Sequence, residues 1–137
     1  KKAVNKGALE SLIQRDIVAI AADANLESIR SFIADHHALY PVVDKEHCYI
    51  GTLNIDSIRR VLEEDHQDNL IMAHSLIGES SFVPSNTSLK GAKEIFLMTQ
   101  KEILPVVDPI SRILVGVISQ KDILLELSKD QKVLDER

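Results

Sequence analysis

Ile113-Leu114-Val115-Gly116-Val117-Ile118-Ser119-Gln120-Lys121-Asp122-Ile123-Leu124-Leu125-Glu126-Leu127 is an apolar run that stops at a small hydroxyl and turns at once into a helical pattern opening on an acid. A strand-to-helix junction of that kind gathers free backbone N–H groups, the Ser119 hydroxyl and the Asp122 carboxylate at one edge of a sheet. Such an edge suits a small polar molecule. The purely local alternative is that Asp122 caps the helix through its carboxylate while Ser119 ends the strand.

Working outward, the stretch has a counterpart earlier in the chain. Val115-Gly116-Val117-Ile118 matches Ile50-Gly51-Thr52-Leu53, and Leu104-Pro105-Val106-Val107-Asp108 matches Tyr40-Pro41-Val42-Val43-Asp44. The offsets hold nearly constant, Leu26 to Leu89 being 63 positions, Pro41 to Pro105 64, and Gly51 to Gly116 65. An internal repeat with one-residue drift at turns is the main organisational signal.

In the first copy, Ile17-Val18-Ala19-Ile20 reads as a short strand, and Asp23 or Asn25 as the cap of a helix carrying Leu26, Ile29, Phe32 and Ile33 on one face. Strands at Leu39–Val43 and Tyr49–Leu53 flank a turn, and Asn54 caps a helix bearing Ile55, Ile58, Val61 and Leu62. In the second copy Ser81-Phe82-Val83 replaces the first strand, with Asn86 and Thr87 as caps for a helix carrying Leu89, Ala92, Ile95 and Phe96. The expected organisation is a lead-in helix or linker over residues 1–15, repeats over 16–64 and 81–128, a polar-ended connector over 65–80 and a tail over 129–137. Each repeat is β-α-β-β-α and too small to bury its own sheet face, so an α/β (α+β) pair packed about a pseudo-twofold axis is expected. Ile95-Phe96-Leu97-Met98 would cover about 300° of a helix circumference. One core cannot absorb that, so a second packing surface is expected.

With 137 residues, 45% hydrophobic and 27% charged, the composition is globular. Cys48 is the one cysteine, which rules out an intrachain disulfide and favours a reducing setting. No signal peptide or membrane-length apolar run appears, so the fragment is expected to be soluble. A net charge of −5 and an aromatic content of 4% argue against a nucleic-acid partner. His36, His37, His47 and Cys48 are read as solvent-facing histidines and a small core residue rather than as metal ligands. The sequence contains no His-Glu-x-x-His, P-loop or Gly-x-Ser-x-Gly motif.

The doubled Pro-Val-Val-Asp together with Gly116-Val117-Ile118-Ser119-Gln120-Lys121-Asp122 resembles a pair of CBS domains, the cystathionine-β-synthase-type module. That resemblance implies a regulatory module, not an enzyme, which needs no cofactor and takes AMP, ADP, ATP or S-adenosylmethionine as a regulatory ligand. It implies that Asp122 accepts hydrogen bonds from ribose hydroxyls, for which a carboxylate facing a cis-diol is well suited. It also implies that Ser119 faces phosphate or ribose, and that Val18, Ala19, Ile20, Tyr40, Pro41 and Val42 form an adenine wall; Lys121 is the cation that the sequence offers beside Asp122.

At the counterpart position Asn54 stands for Ser119 and Ser57 for Asp122, with Asp56 one residue away. A weak or empty second site is expected there, its wall Phe82, Val83, Leu104, Pro105 and Val106. The thin basic supply, Lys121 with His37 standing where the second copy has Lys101, points to few or no phosphates on the ligand.

Leu39-Tyr40-Pro41-Val42-Val43-Asp44, Leu53-Asn54-Ile55-Asp56-Ser57-Ile58-Arg59-Arg60-Val61-Leu62 and Asn69-Leu70-Ile71-Met72-Ala73-His74-Ser75-Leu76-Ile77 resemble the cytoplasmic C-terminal region of bacterial ClC-type chloride channels and transporters. That likeness implies a homodimer attached to a membrane transport domain on the cytoplasmic side. The residues leave open a ligand-free assembly domain, and the same module attached to a magnesium transporter or a metabolic enzyme.

Overall fold

Three short polar side chains set where helices begin. Asn25 Oδ1 accepts from the Ser28 N–H at 2.9 Å, Asn54 Oδ1 from Ser57 at 3.1 Å, and Ser88 Oγ from Gly91 at 3.0 Å. Each satisfies one of the N–H groups that a first helical turn leaves open. The helices they start are α1 (Leu26–Ala34), α2 (Ile55–Glu63) and α3 (Leu89–Thr99). Ser88 displaces the expected caps Asn86 and Thr87, because the cap must lie three residues before the N–H that it satisfies.

The computed structural model describes residues 9–64 and 71–135. Expectations for residues 1–8 of the lead-in, 65–70 of the connector and 136–137 of the tail lie outside them. The strands are β1 (Ile20–Ala21), β2 (Pro41–Val43), β3 (Tyr49–Leu53), β4 (Ile77–Glu79), β5 (Val83–Pro84), β6 (Ile103–Val107) and β7 (Leu114–Ser119), and the last helix is α4 (Gln120–Asp135). The chain divides into two units. The first-copy unit holds residues 18–81 with Arg112–Leu114, and the second-copy unit holds 9–17, 82–111 and 115–135.

In the first-copy unit a four-stranded sheet runs β1-β2-β3-β4. β1 and β2 are parallel with Ile20 opposite Val42, and β2 and β3 are antiparallel with Val42 opposite Gly51. β4 comes from the expected polar connector and lies antiparallel on β3, Leu53 facing Ile77. Its core includes Ile29, Phe32, Val42, Leu53, Ile58 and Ala73.

The second-copy unit has a three-stranded sheet, β5-β6-β7, over a core of Val83, Leu89, Phe96, Leu104, Ile118 and Ile123. The lead-in belongs to this unit. Residues 9–12 are helical, Leu9 and Ile13 join its core, and Gln14 exchanges both backbone hydrogen bonds with Val117, at 2.8 and 3.0 Å. The first-copy sheet thus gains a segment that follows its expected repeat, and the second-copy sheet one that lies before both repeats.

The Asp of each Pro-Val-Val-Asp closes a turn. Asp44 Oδ1 accepts from the N–H groups of Glu46 and Cys48, and Asp108 Oδ1 from those of Ile110 and Ser111. These are side-chain mimics of a backbone turn. The Ser111 and Ile110 N–H groups hold the Asp108 carboxyl below its ordinary range. Left-handed residues recur at matching places, His36 and Gln100 after α1 and α3, His47 and Arg112 in the two turns.

Tyr49 is 4% exposed. Its hydroxyl donates to the Ser81 carbonyl at 3.1 Å and sits 2.9 Å from Thr52 Oγ1. Burial pushes this phenol up to about 12 from an ordinary 10.0. The folded state favours the protonated phenol, so its contribution to stability is whole below pH 10 and is lost as pH rises toward 12. Absorbance titration at alkaline pH should show a step near 12 that vanishes in Tyr49→Phe. Urea melts of that variant should show about 1 kcal/mol lost at neutral pH and a flatter alkaline decline.

Candidate functional site

The site is built where β7 passes into α4. Ser119 ends the strand, and its Oγ accepts from the Asp122 N–H at 3.1 Å. Ser119 is thus the cap, and Asp122 does not cap through its carboxylate as the local alternative had it. The Asp122 carboxylate forms no hydrogen bond or ion pair among the described residues. It is half-buried and sits in the first turn of α4, where the helix dipole favours a negative charge. The Gln120 N–H donates to the Glu102 carbonyl at 2.8 Å, which ties the junction to the start of β6.

Beside this junction lies a pocket of about 570 Å³ lined by Glu102, Ile103, Ser119, Gln120, Lys121, Leu124 and Leu125. Ile103, Leu124 and Leu125 give it an apolar side, while Ser119, Gln120, Lys121 and Glu102 give it a polar one. An apolar enclosure with a few convergent polar groups is the usual form of a small-molecule site.

Of the residues singled out from the sequence, Ser119 and Lys121 line the pocket, and Asp122 stands in the same helical turn. Val18, Ala19, Ile20, Tyr40, Pro41 and Val42 all belong to the first-copy unit. There Val18 is exposed, while Ile20 and Val42 are core. Tyr40 packs edge-on against Phe32 and His37, and its hydroxyl accepts from the His37 N–H at 3.1 Å. His37 is therefore not solvent-facing as expected: its ring lies 4.9 Å from that of Phe32, and its Nε2 is buried without a hydrogen-bond partner among the described residues. His36 and His47 are exposed. No group of three or more His, Cys, Asp or Glu among the described residues is placed to hold a metal.

Sequence reasoning missed Glu102, Ile103, Gln120, Leu124 and Leu125. For the two leucines a signal was present, since Ile123-Leu124-Leu125 is an apolar triplet on a helix and one core can take only part of it. Ile123 is fully buried, and the leucines are 43% and 52% exposed. Glu102 carried no signal.

The equivalent junction in the first copy keeps the cap and places its acid differently. Asn54 caps onto Ser57 as Ser119 caps onto Asp122. Asp56 is turned to solvent, 3.6 Å from Arg59. Gly78 of β4 approaches so closely that an added Cβ would lie 2.8 Å from Asn54 Nδ2.

The CBS domain family matches residues 9–64 and 69–129. The chain belongs to the CBS-domain family. This is a tandem CBS pair, a regulatory module, in agreement with the α+β reading from sequence. Solved structures agree in fold. The cystathionine beta-synthase pair domain of a putative Mg2+ transporter from Shewanella oneidensis is 18% identical with a TM-score of 0.68, covering 87% of this chain and 68% of that one. OpuCA from Staphylococcus aureus is 18% identical with a TM-score of 0.69, covering 89% and 98%. CBSX2, solved in complex with AMP, is 14% identical with a TM-score of 0.65, covering 90% and 97%. No curated protein sequence matches this CBS pair. No helix among the described residues is long and apolar enough to cross a membrane.

Proposed function

We propose that this CBS pair senses an adenosine-containing small molecule at the β7–α4 junction and passes the binding free energy to an attached domain. The observation that carries the reading is the unpartnered Asp122 carboxylate in the turn that opens on the pocket. A ribose cis-diol offers two donors to such a carboxylate. The leucines and Ile103 offer apolar surface for a base, and Ser119 and Lys121 meet the remaining polar groups. Support also comes from CBSX2, a protein of the same fold solved with AMP. The ligand would favour one arrangement of the module, and the attached domain would respond through linkage.

For the attachment, the stretches Leu39–Asp44, Leu53–Leu62 and Asn69–Ile77 support a ClC-type chloride channel or transporter, with the pair on the cytoplasmic side of the membrane. Exposed Leu97 and Met98 on α3 support a homodimer.

Isothermal titration with AMP, ATP and S-adenosylmethionine tests the ligand reading. Asp122→Ala should weaken binding by roughly 10- to 100-fold, the worth of a charge-assisted pair. Its thermal stability should stay within about 1 kcal/mol, since the Ser119 cap uses the Asp122 backbone and not its side chain. Absence of heat from all three compounds at millimolar concentration would leave a ligand-free assembly domain.

A further inference from the structure

We infer that Glu102 sets the charge selectivity of the pocket, tuning it toward a neutral or cationic adenosine compound of the S-adenosylmethionine kind and against adenosine polyphosphates. The inference rests on the adenosine reading of this site and concerns which member of that class it holds.

Lys121 is the one cation among the lining residues, and Glu102 stands in the same lining with the opposite charge. Lys101, its neighbour in sequence, is not part of the lining. The Glu102 carboxylate makes no hydrogen bond or ion pair among the described residues; it is exposed, so water and salt screen it until a ligand fills the pocket. Its place is held by the backbone, because its carbonyl accepts the Gln120 N–H at 2.8 Å. The Glu102 Cα cannot drift from the junction without breaking that bond.

Asp122, outside the lining but in the same first helical turn as Lys121, adds a second negative charge beside the pocket. Glu126, further along α4, lies 3.5 Å from Lys129 and contributes little. The positive end of α4 amounts to about half a charge. With Lys121 it roughly balances the two carboxylates, so the pocket offers a polyphosphate no net attraction. A triphosphate carrying about four negative charges would meet Glu102 in the lining, and Asp122 in the adjoining turn, with one lining lysine to compensate. A sulfonium compound would meet two carboxylates with favourable sign.

The test is titration calorimetry at low ionic strength with adenosine, S-adenosylmethionine, AMP and ATP, on the wild-type chain, Glu102→Gln and Glu102→Lys. The wild type should bind S-adenosylmethionine at least about tenfold more tightly than ATP, and Glu102→Lys should shift that ratio toward ATP by a further factor of about ten. Glu102→Gln should fall between them, and high salt should compress all the differences. Circular dichroism melts should be unchanged, because the Glu102 side chain is exposed and its structural bond is made by backbone. Tighter wild-type binding of ATP, or a ratio that Glu102→Lys leaves unmoved, would overturn the inference and leave the adenosine reading standing. No heat from any of the four with wild type would remove both.

Discussion

Gly116→Val is expected to destabilise the second-copy unit by about 3 kcal/mol, which for a domain of this size lowers the melting temperature by roughly 10 °C. A Cβ built at Gly116 falls against the Gln14 carbonyl oxygen, with Ile13 Cγ2 at 2.7 Å and the Gln14 carbonyl carbon at 3.0 Å. Two of those three neighbours are backbone, so trimming a side chain cannot make room. The lead-in segment must leave β7, giving up the two Gln14–Val117 hydrogen bonds and the burial of Leu9 and Ile13. Adding Ile13→Ala to Gly116→Val should therefore deepen the loss. Differential scanning calorimetry of the two variants decides the point: recovery of stability in the double variant would mean that the clash is with the Ile13 side chain alone. The counterpart Gly51 is hemmed by Ile77 and by the Glu79 carbonyl at 2.9 Å, and its φ is +155°, so it too resists a side chain.

This glycine pair explains what the sequence revealed and what it hid. The repeat was legible because its recurring residues do local work. Asp44 and Asp108 close turns, and Gly51 and Gly116 admit a neighbouring strand. Each is a short-range requirement that leaves a fixed residue type at a fixed place. The neighbouring strands themselves stayed hidden. Ile77-Gly78-Glu79 is three residues with a glycine at its centre, and Gln14 makes a single bridge, so neither has a run long enough for period-two alternation. Their strand character is imposed by the partner edge. β1 is shorter than Ile17–Ile20 suggested for the same reason, since only Ile20 and Ala21 have partners in β2.

The site divides along the same line. Ser119 was legible because a cap demands a short polar side chain three residues before the N–H it satisfies, and Asp122 because it follows at that spacing. Glu102 was not, because it reaches the pocket through the alignment of β6 beside β7, a tertiary fact with no local pattern. The first-copy junction shows the converse. Asn54 preserves the cap while Asp56 pairs with Arg59 in solvent, so the cap and the position of the acid vary independently.

Phe96→Ala should cost about 3–5 kcal/mol, the largest loss from a single side chain in this unit, whereas Met98→Glu, two residues on, should change stability by less than about 0.5 kcal/mol. The four apolar residues Ile95–Met98 cannot share one core, and the structure shows how they divide. Phe96 is wholly enclosed among Leu89, Leu104 and Ile118, and Ile95 packs at the core's margin. Leu97 and Met98 are 55% and 82% exposed. Truncating Phe96 leaves a cavity that its neighbours cannot close without leaving their rotamers. Met98 has no such enclosure, so its replacement leaves the core untouched. If the pair is a homodimer through this face, Met98→Glu puts a like charge from each copy into the interface, and sedimentation should show the mass halved while the melting profile of the monomer is kept. A variant that keeps the wild-type mass would place the dimer contact elsewhere, and one that melts early would mean that the methionine is structural after all.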